Sequence, residues 1–171
     1  MKNRITARLL LPLILLICFS MSGFSASEKN SDPKNVKELN LKVSEMLKQS
    51  PDKALTLANE ALKMANQALE VSNTKEDKAE KAAALKNLGI AHYYLSNDRQ
   101  ALEYYEQALV IYKQIKDEDG IGSTLNNSGL ILETQGDYSG ALKRYLEAST
   151  LFSKNDEKGE KLALSYTNLG N

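Results

Sequence analysis

The sequence predicts an all-α protein in which antiparallel helix pairs stack into a solenoid. Three observations indicate this fold class: a composition rich in helix formers, an internal repeat of 40 residues, and apolar residues spaced three and four apart within each repeat. Hydrophobic residues make up 42% of the 171 and charged residues 26%, which favours a packed chain over a disordered one. Three Phe, eight Tyr and no Trp are few for a β-sandwich or β-barrel.

The charged and reactive residues exclude several classes of function. Lysine and arginine together number 22, as do aspartate and glutamate, so there is no basic field to attract nucleic acid. His92 is the only histidine and Cys18 the only cysteine, which leaves no residues for a histidine-based triad or a metal cluster. We therefore expect no enzyme activity, no metal and no cofactor. We interpret His92 as a packed residue on the apolar face of a helix.

Residues 1–25 have the features of a secretory signal peptide. Three basic residues precede an apolar run at residues 9–19, and these 11 residues are too few to span a membrane, which takes about 20 in a helix. The small residues that follow favour cleavage after Ser25, with an uncleaved anchor as the alternative. The mature protein is then expected in the periplasm or outside the cell. It begins with a linker at residues 26–34 and lacks Cys18.

Residues 35–81 predict a degenerate helical hairpin that caps the N-terminal end of the solenoid. Its second helix is expected to begin at Ser50-Pro51, a capping hydroxyl followed by a proline in the first turn. Lys42 stands in its first helix where the later copies have glycine. We interpret the charged stretch 75–81 as a solvated linker that opens the next helix.

Residues 82–121 and 122–162 are predicted to be two complete repeats, and residues 163–171 begin another. Each complete repeat contains two helical patterns separated by a short turn rich in Asn, Asp or Gly, at residues 96–98 and 135–137. The alternation of long helical patterns and short turns predicts that successive helices are antiparallel.

Small residues recur where two helices must approach closely. Gly89 and Gly129, 40 residues apart, belong to the first helix of each repeat, and alanines are expected to face them from the second. A single pair cannot bury both of its apolar faces, so neighbouring pairs are expected to stack. We interpret Gly120 and Gly122 as part of the turn between repeats.

Several short motifs resemble the tetratricopeptide repeat (TPR). They are Asn-Leu-Gly at residues 87–89, Gly-Asp-Tyr at 136–138, and the Ala-Leu, Tyr and Ala series within 141–148. The repeat is similar to a 40-residue variety of the TPR, and the resemblance is strong over about 82–171 and weak over 35–72. It implies a right-handed solenoid whose concave face, built from the first helix of each pair, binds a protein or peptide.

Carrying that concave face over to this sequence gives the candidate peptide-binding residues. They are Lys86, Asn87, Ile90 and Tyr93 in one repeat, Ser123, Asn126, Asn127, Leu130 and Glu133 in the next, and Thr167 and Asn168 in the last. Asn87, Asn127 and Asn168 occupy one position in three copies. A carboxamide has two donors and one acceptor, so we predict that this series pairs with successive peptide groups of an extended ligand, whose side chains are read by Lys86, Tyr93 and Glu133. The alternative is that the asparagines satisfy neighbouring helix backbones.

The sequence supports two hypotheses about function. The first is an exported module that binds a protein or peptide in its concave groove. The second rests on the signal peptide and the Ser-Pro-Asp-Lys-Ala-Leu start of the first copy, which resemble the exported sensor region of bacterial TPR-containing signalling proteins. That resemblance implies a membrane span and an output domain, such as a histidine kinase, beyond Asn171. Because the last repeat stops inside a first helix, we interpret the sequence as a fragment of a longer chain.

Overall fold

The computed structural model describes residues 33–155 and 159–169, which form seven α-helices and no strand. The helices are α1 (Pro33–Met46), α2 (Pro51–Val71), α3 (Lys75–Tyr94), α4 (Asp98–Ile115), α5 (Glu118–Thr134), α6 (Tyr138–Asn155) and α7 (Glu160–Leu169). The predicted signal peptide and Cys18 lie outside the described residues. Of the helices described, none has both the length and the apolar character needed to cross a membrane.

The helices pack in two layers. Each helix contacts the next one along the chain, and each odd-numbered helix also contacts the next odd-numbered helix. The odd helices α1, α3, α5 and α7 therefore form one continuous layer, and the even helices lie behind it. This arrangement confirms the predicted solenoid of helix pairs.

Aromatic rings of the even helices lie directly over glycines of the odd helices. A β-carbon added to Gly89 would lie 2.5 Å from Cδ1 of Tyr105 and 3.1 Å from the carbonyl oxygen of Ala101. One added to Gly129 would lie 2.5 Å from Cε1 of Tyr145. The predicted close approach of the paired helices is confirmed, although a tyrosine ring rather than an alanine side chain fills most of the space above each glycine.

The interpretation of Gly120 and Gly122 as turn residues is wrong. Both lie inside α5 and are buried. Added β-carbons would collide with the ring of Tyr112 at Gly120 and lie 2.6 Å from Cε1 of Phe152 at Gly122. These two glycines therefore extend the same glycine-to-aromatic packing to the N-terminal half of α5.

The interpretation of residues 75–81 as a solvated linker is also wrong, although they open the next helix as predicted. They form the first turns of α3, and Asp77 is only 1% exposed. Thr74 Oγ1 accepts a hydrogen bond from the Asp77 amide at 3.1 Å, and Asp77 Oδ2 accepts one from the Thr74 amide at 2.8 Å. Burial opposes the charged form of Asp77, but hydrogen bonds from Ser72 and Thr74 outweigh it and lower the pKa of the carboxyl.

The helix starts agree only in part with the sequence. Asp137 caps α6 as predicted, since its Oδ1 accepts a hydrogen bond from the Gly140 amide at 2.9 Å. Gly136 precedes it with a φ of 81°, a conformation that glycine adopts without strain. By contrast, the Ser50 hydroxyl makes no capping hydrogen bond to α2, whose first turn contains Pro51. The fixed φ of the proline favours the helical turn there without the hydroxyl.

Candidate peptide-binding groove

The layer of odd helices bounds an open groove with a volume of about 590 Å³. Its lining residues are Ser44 and Glu45 on α1, Leu47, Lys48 and Gln49 in the turn after α1, Ile90, Tyr93 and Tyr94 on α3, Tyr105 on α4, Asn126, Asn127 and Leu130 on α5, and Leu164 and Asn168 on α7. The groove therefore runs across all four odd helices. Its volume is in the range typical of ligand sites in proteins, about 300–1,000 Å³.

Six of the predicted binding residues line this groove. They are Ile90, Tyr93, Asn126, Asn127, Leu130 and Asn168. The other five, Lys86, Asn87, Ser123, Glu133 and Thr167, are not among its lining residues. The contacts of four of these five show what each does instead.

Asn87 holds two odd helices together. Its side chain is 4% exposed, and its Nδ2 donates to the carbonyl oxygen of Asn40 at 3.1 Å, which ties α3 to α1. The Nδ2 of Asn40 in turn donates to the carbonyl oxygen of Glu80 at 3.0 Å and to its Oε2 at 2.9 Å. For Asn87, the alternative in which the carboxamide satisfies a neighbouring helix backbone is correct.

Asn127 is placed quite differently. It is half-buried and lines the groove, and among residues 33–155 and 159–169 its carboxamide has no hydrogen-bond partner. Beside it, Asn168 Nδ2 donates to Asn126 Oδ1 at 3.1 Å, which joins α7 to α5 within the same groove. The predicted series of equivalent asparagines is thus not uniform, and Asn127 is the member with free hydrogen-bonding capacity.

Lys86 lies half-buried outside the groove lining, in a charged environment. Burial is the main cause that lowers the pKa of its ammonium. Asp117 and Asp119 favour the charged form, and Lys161 opposes it. Lys161 also forms an ion pair with Asp119. Lys86 therefore belongs to a mixed cluster of charges near the start of α5.

Glu133 and Thr167 have partners of their own. Glu133 Oε2 accepts a hydrogen bond from the Tyr145 hydroxyl at 2.8 Å, which links α5 to α6. The exposed Thr167 hydroxyl donates to the carbonyl oxygen of Ala163 at 2.9 Å, one turn earlier in α7. Neither group points to the recognition of a ligand.

His92 is a packed residue. It is 8% exposed, and its ring stacks on Tyr104 with 5.3 Å between centroids and 12° between planes. Among the described residues its Nδ1 has no hydrogen-bond partner, and burial lowers the pKa of the imidazole. Within the described part of the chain, no group of three or more His, Cys, Asp or Glu residues could hold a metal ion.

The sequence did not reveal the contribution of α1 to the groove. Glu45, Leu47, Lys48 and Gln49 come from the degenerate first copy, in which the repeat pattern is weakest. One feature of the sequence could have revealed it. Asn40 lies two residues before Lys42, just as Asn87 lies two residues before Gly89. Aligning Lys42 with Gly89 makes Asn40 the equivalent of Asn87 in the first copy, 47 residues away rather than 40.

A family model described as tetratricopeptide repeat matches residues 40–114, from within α1 to within α4. Together with the stacked helix pairs, this match supports a TPR protein. The matched segment covers most of the degenerate first copy, where the motifs are weak, and continues through α3 into α4, where they are strong. The TPR is a non-catalytic repeat that generally serves protein–protein interaction. A comparison with curated proteins gave no match.

Proposed function

We propose that this protein is an exported interaction module that binds an extended segment of a protein, or a free peptide, in the groove of its odd helices. The observation that carries this proposal is the Asn127 carboxamide, which faces the groove without a partner among the described residues. Buried polar groups are usually hydrogen-bonded, so a ligand that covers Asn127 has to pair with its carboxamide. A peptide group supplies the donor and the acceptor that a carboxamide needs.

The neighbours of Asn127 suit the same ligand. Ile90 and Leu130 lie in the groove from two successive odd helices, and the Asn126–Asn168 pair closes the side toward α7. An extended peptide alternates its side chains and presents its amide groups between them. Apolar side chains of such a ligand would be buried against Ile90 and Leu130, while its backbone pairs with Asn127.

The first test compares two asparagine variants of one protein. A library of random linear dodecapeptides is displayed and selected on the purified protein, and the affinity of a recovered peptide is measured for Asn127→Ala and for Asn87→Ala. We expect Asn127→Ala to bind about tenfold more weakly, a loss of about 1.4 kcal/mol that is typical of one hydrogen bond. Asn87→Ala is the matched control, because Asn87 lies outside the groove. Unchanged affinity for Asn127→Ala would contradict the proposal.

We also propose that the protein is exported by cleavage of residues 1–25, on the basis of the basic start and the short apolar run. The mass of the mature form tests this. A protein that begins after Ser25 supports it, and a retained leader supports the uncleaved anchor instead.

A second candidate function is the exported sensor region of a membrane-bound bacterial signalling enzyme. The observation that favours it is the order of the chain, a leader followed by a proline-initiated hairpin and then 40-residue repeats. The full reading frame tests it. An apolar span of about 20 residues and a kinase-like domain after Asn171 would support this role, and a stop codon at that point would exclude it.

A further inference from the structure

We propose that the groove selects an uncharged, internal peptide segment that carries one large apolar side chain. The inference rests on the function proposed above and adds the chemical class of the ligand.

Apolar side chains from three helices converge on the groove. Ile90 comes from α3, Leu130 from α5 and Leu164 from α7. Leu164 is 55% exposed. Water reaches these side chains in the free protein, and a bulky apolar ligand side chain would displace it from all three.

Charged groups are confined to one end of the groove. Glu45 and Lys48 are its only charged lining residues among those described, and both are exposed near the end of α1 with opposite signs. Lys86 does not line the groove and lies near Asp117 and Asp119. A carboxylate or ammonium of the ligand placed between α3, α5 and α7 would lose hydration without gaining an oppositely charged partner. The distribution of charge therefore favours an uncharged segment over a free chain terminus.

The asparagine carboxamides determine how the ligand segment is oriented in the groove. Asn127 can pair with one peptide group, and Asn126 and Asn168 already share a hydrogen bond on the α7 side. A backbone held at Asn127 would direct its adjacent side chain toward Leu130 or Leu164. One apolar side chain next to a peptide group held by an asparagine is therefore the minimal ligand that fills the site.

The selection from the dodecapeptide library tests this, with fixed uncharged residues on both sides of the random segment. We expect the recovered peptides to share a stretch of uncharged residues around one Leu, Ile, Phe or Met. Replacing that residue by Lys or by Glu should weaken binding about tenfold or more, because either charge would be desolvated in the groove. Replacing it by Ala should weaken binding less.

A charge-introducing variant makes the test sharper. Leu164→Lys adds a cation at a half-exposed position, so the fold should tolerate it, and thermal unfolding checks that it does. A selection on this variant should recover peptides that contain Asp or Glu at the position of the apolar residue. The same apolar peptides recovered with equal affinity would overturn the inference.

The remaining outcomes separate the inference from the function on which it rests. Recovered peptides that are charged at the contact, and whose affinity still falls in Asn127→Ala, would overturn the ligand class and leave the groove as the binding site. Peptides whose affinity is unchanged in both Asn127→Ala and Leu130→Ala, or the recovery of no peptide, would overturn both.

Discussion

Asn87 and Asn127 occupy the same position in consecutive repeats, 40 residues apart, yet their surroundings differ. Asn87 is buried and donates to Asn40 of the preceding odd helix, whereas Asn127 faces the groove with no partner among the described residues. The neighbouring odd helix accounts for the role of Asn87, because Asn40 supplies the carbonyl oxygen to which its side chain donates. Asn168, the equivalent of Asn127 in the last copy, donates to Asn126 rather than to Asn127. Residues at equivalent positions of two repeats can therefore differ in role, because their contacts depend on the adjacent helix.

The largest expected effect comes from the glycines of α3 and α5. Comparing Asn87 with Asn127 assumes that these two helices pack in the same way, and substitutions at the glycines test that. Gly89→Lys and Gly129→Lys should each drive a side chain into a buried tyrosine ring, Tyr105 or Tyr145. Each should lower the free energy of unfolding more than Leu88→Ala, which creates a cavity at a cost of about 2–5 kcal/mol. Urea denaturation followed by circular dichroism measures all three. A loss below about 1 kcal/mol at either glycine would contradict the packing described.

The second effect concerns the asparagines themselves. Asn87→Ala should lower the free energy of unfolding by about 1–3 kcal/mol, because it removes a buried hydrogen bond between α3 and α1. Asn127→Ala should change it by less than about 0.5 kcal/mol. The same urea measurement compares the pair. Equal losses would show that both carboxamides are structural and would remove the distinction between them.

The third effect is a pH dependence at His92, on the same helix as Asn87. Burial lowers the pKa of His92 from its ordinary 6.5, so the unfolded chain takes up a proton where the folded chain does not. Stability should therefore be greatest above pH 6.5 and decrease as the pH falls through it. Urea midpoints at pH 7.5 and 5.5 measure the change.

His92→Phe is the control for that measurement, since it keeps an aromatic ring against Tyr104 and removes the titrating group. Its urea midpoint should vary less between the two pH values than that of the wild type. An identical pH dependence in the variant would assign the effect to other groups. Asp77 does not complicate this range, because its pKa is lowered from 3.8.

The smallest effect concerns the even helices. Arg144 of α6, which is half-buried, and Glu106 of α4, which is exposed, form an ion pair at 2.6 Å. A double-mutant cycle with alanine should give a coupling of about 0.2–1 kcal/mol that decreases as salt is added. A coupling above about 2 kcal/mol would contradict this expectation. It would show that direct contacts between even helices contribute substantially to the stability of the stack.

The sequence was sufficient to predict the fold. The 40-residue period and the apolar spacing specify paired helices, and Gly89 and Gly129 mark where they meet. The sequence was misleading where a prediction relied on composition rather than on the spacing of residues. Residues 75–81 look solvated because they are charged, but the capping box at Asp77 makes them the start of α3.

The groove could be predicted only in part. Six of the residues proposed from the repeat register line the groove, including Asn127 and Leu130. The register could not show that the Asn87 side chain hydrogen-bonds to Asn40, because that contact joins helices of different repeats. Nor could it show the contribution of α1, whose copy of the repeat is too degenerate for a reliable alignment.

The most direct test of the groove is to observe the two carboxamides while a ligand binds. In ¹⁵N-labelled protein, the side-chain NH₂ signals of Asn87 and Asn127 are assigned by their disappearance in the Asn87→Ala and Asn127→Ala variants. A selected peptide is then titrated. We predict that the Asn127 signals shift with the binding curve while those of Asn87 stay in place. Shifts at Asn87 with none at Asn127 would contradict the proposed groove.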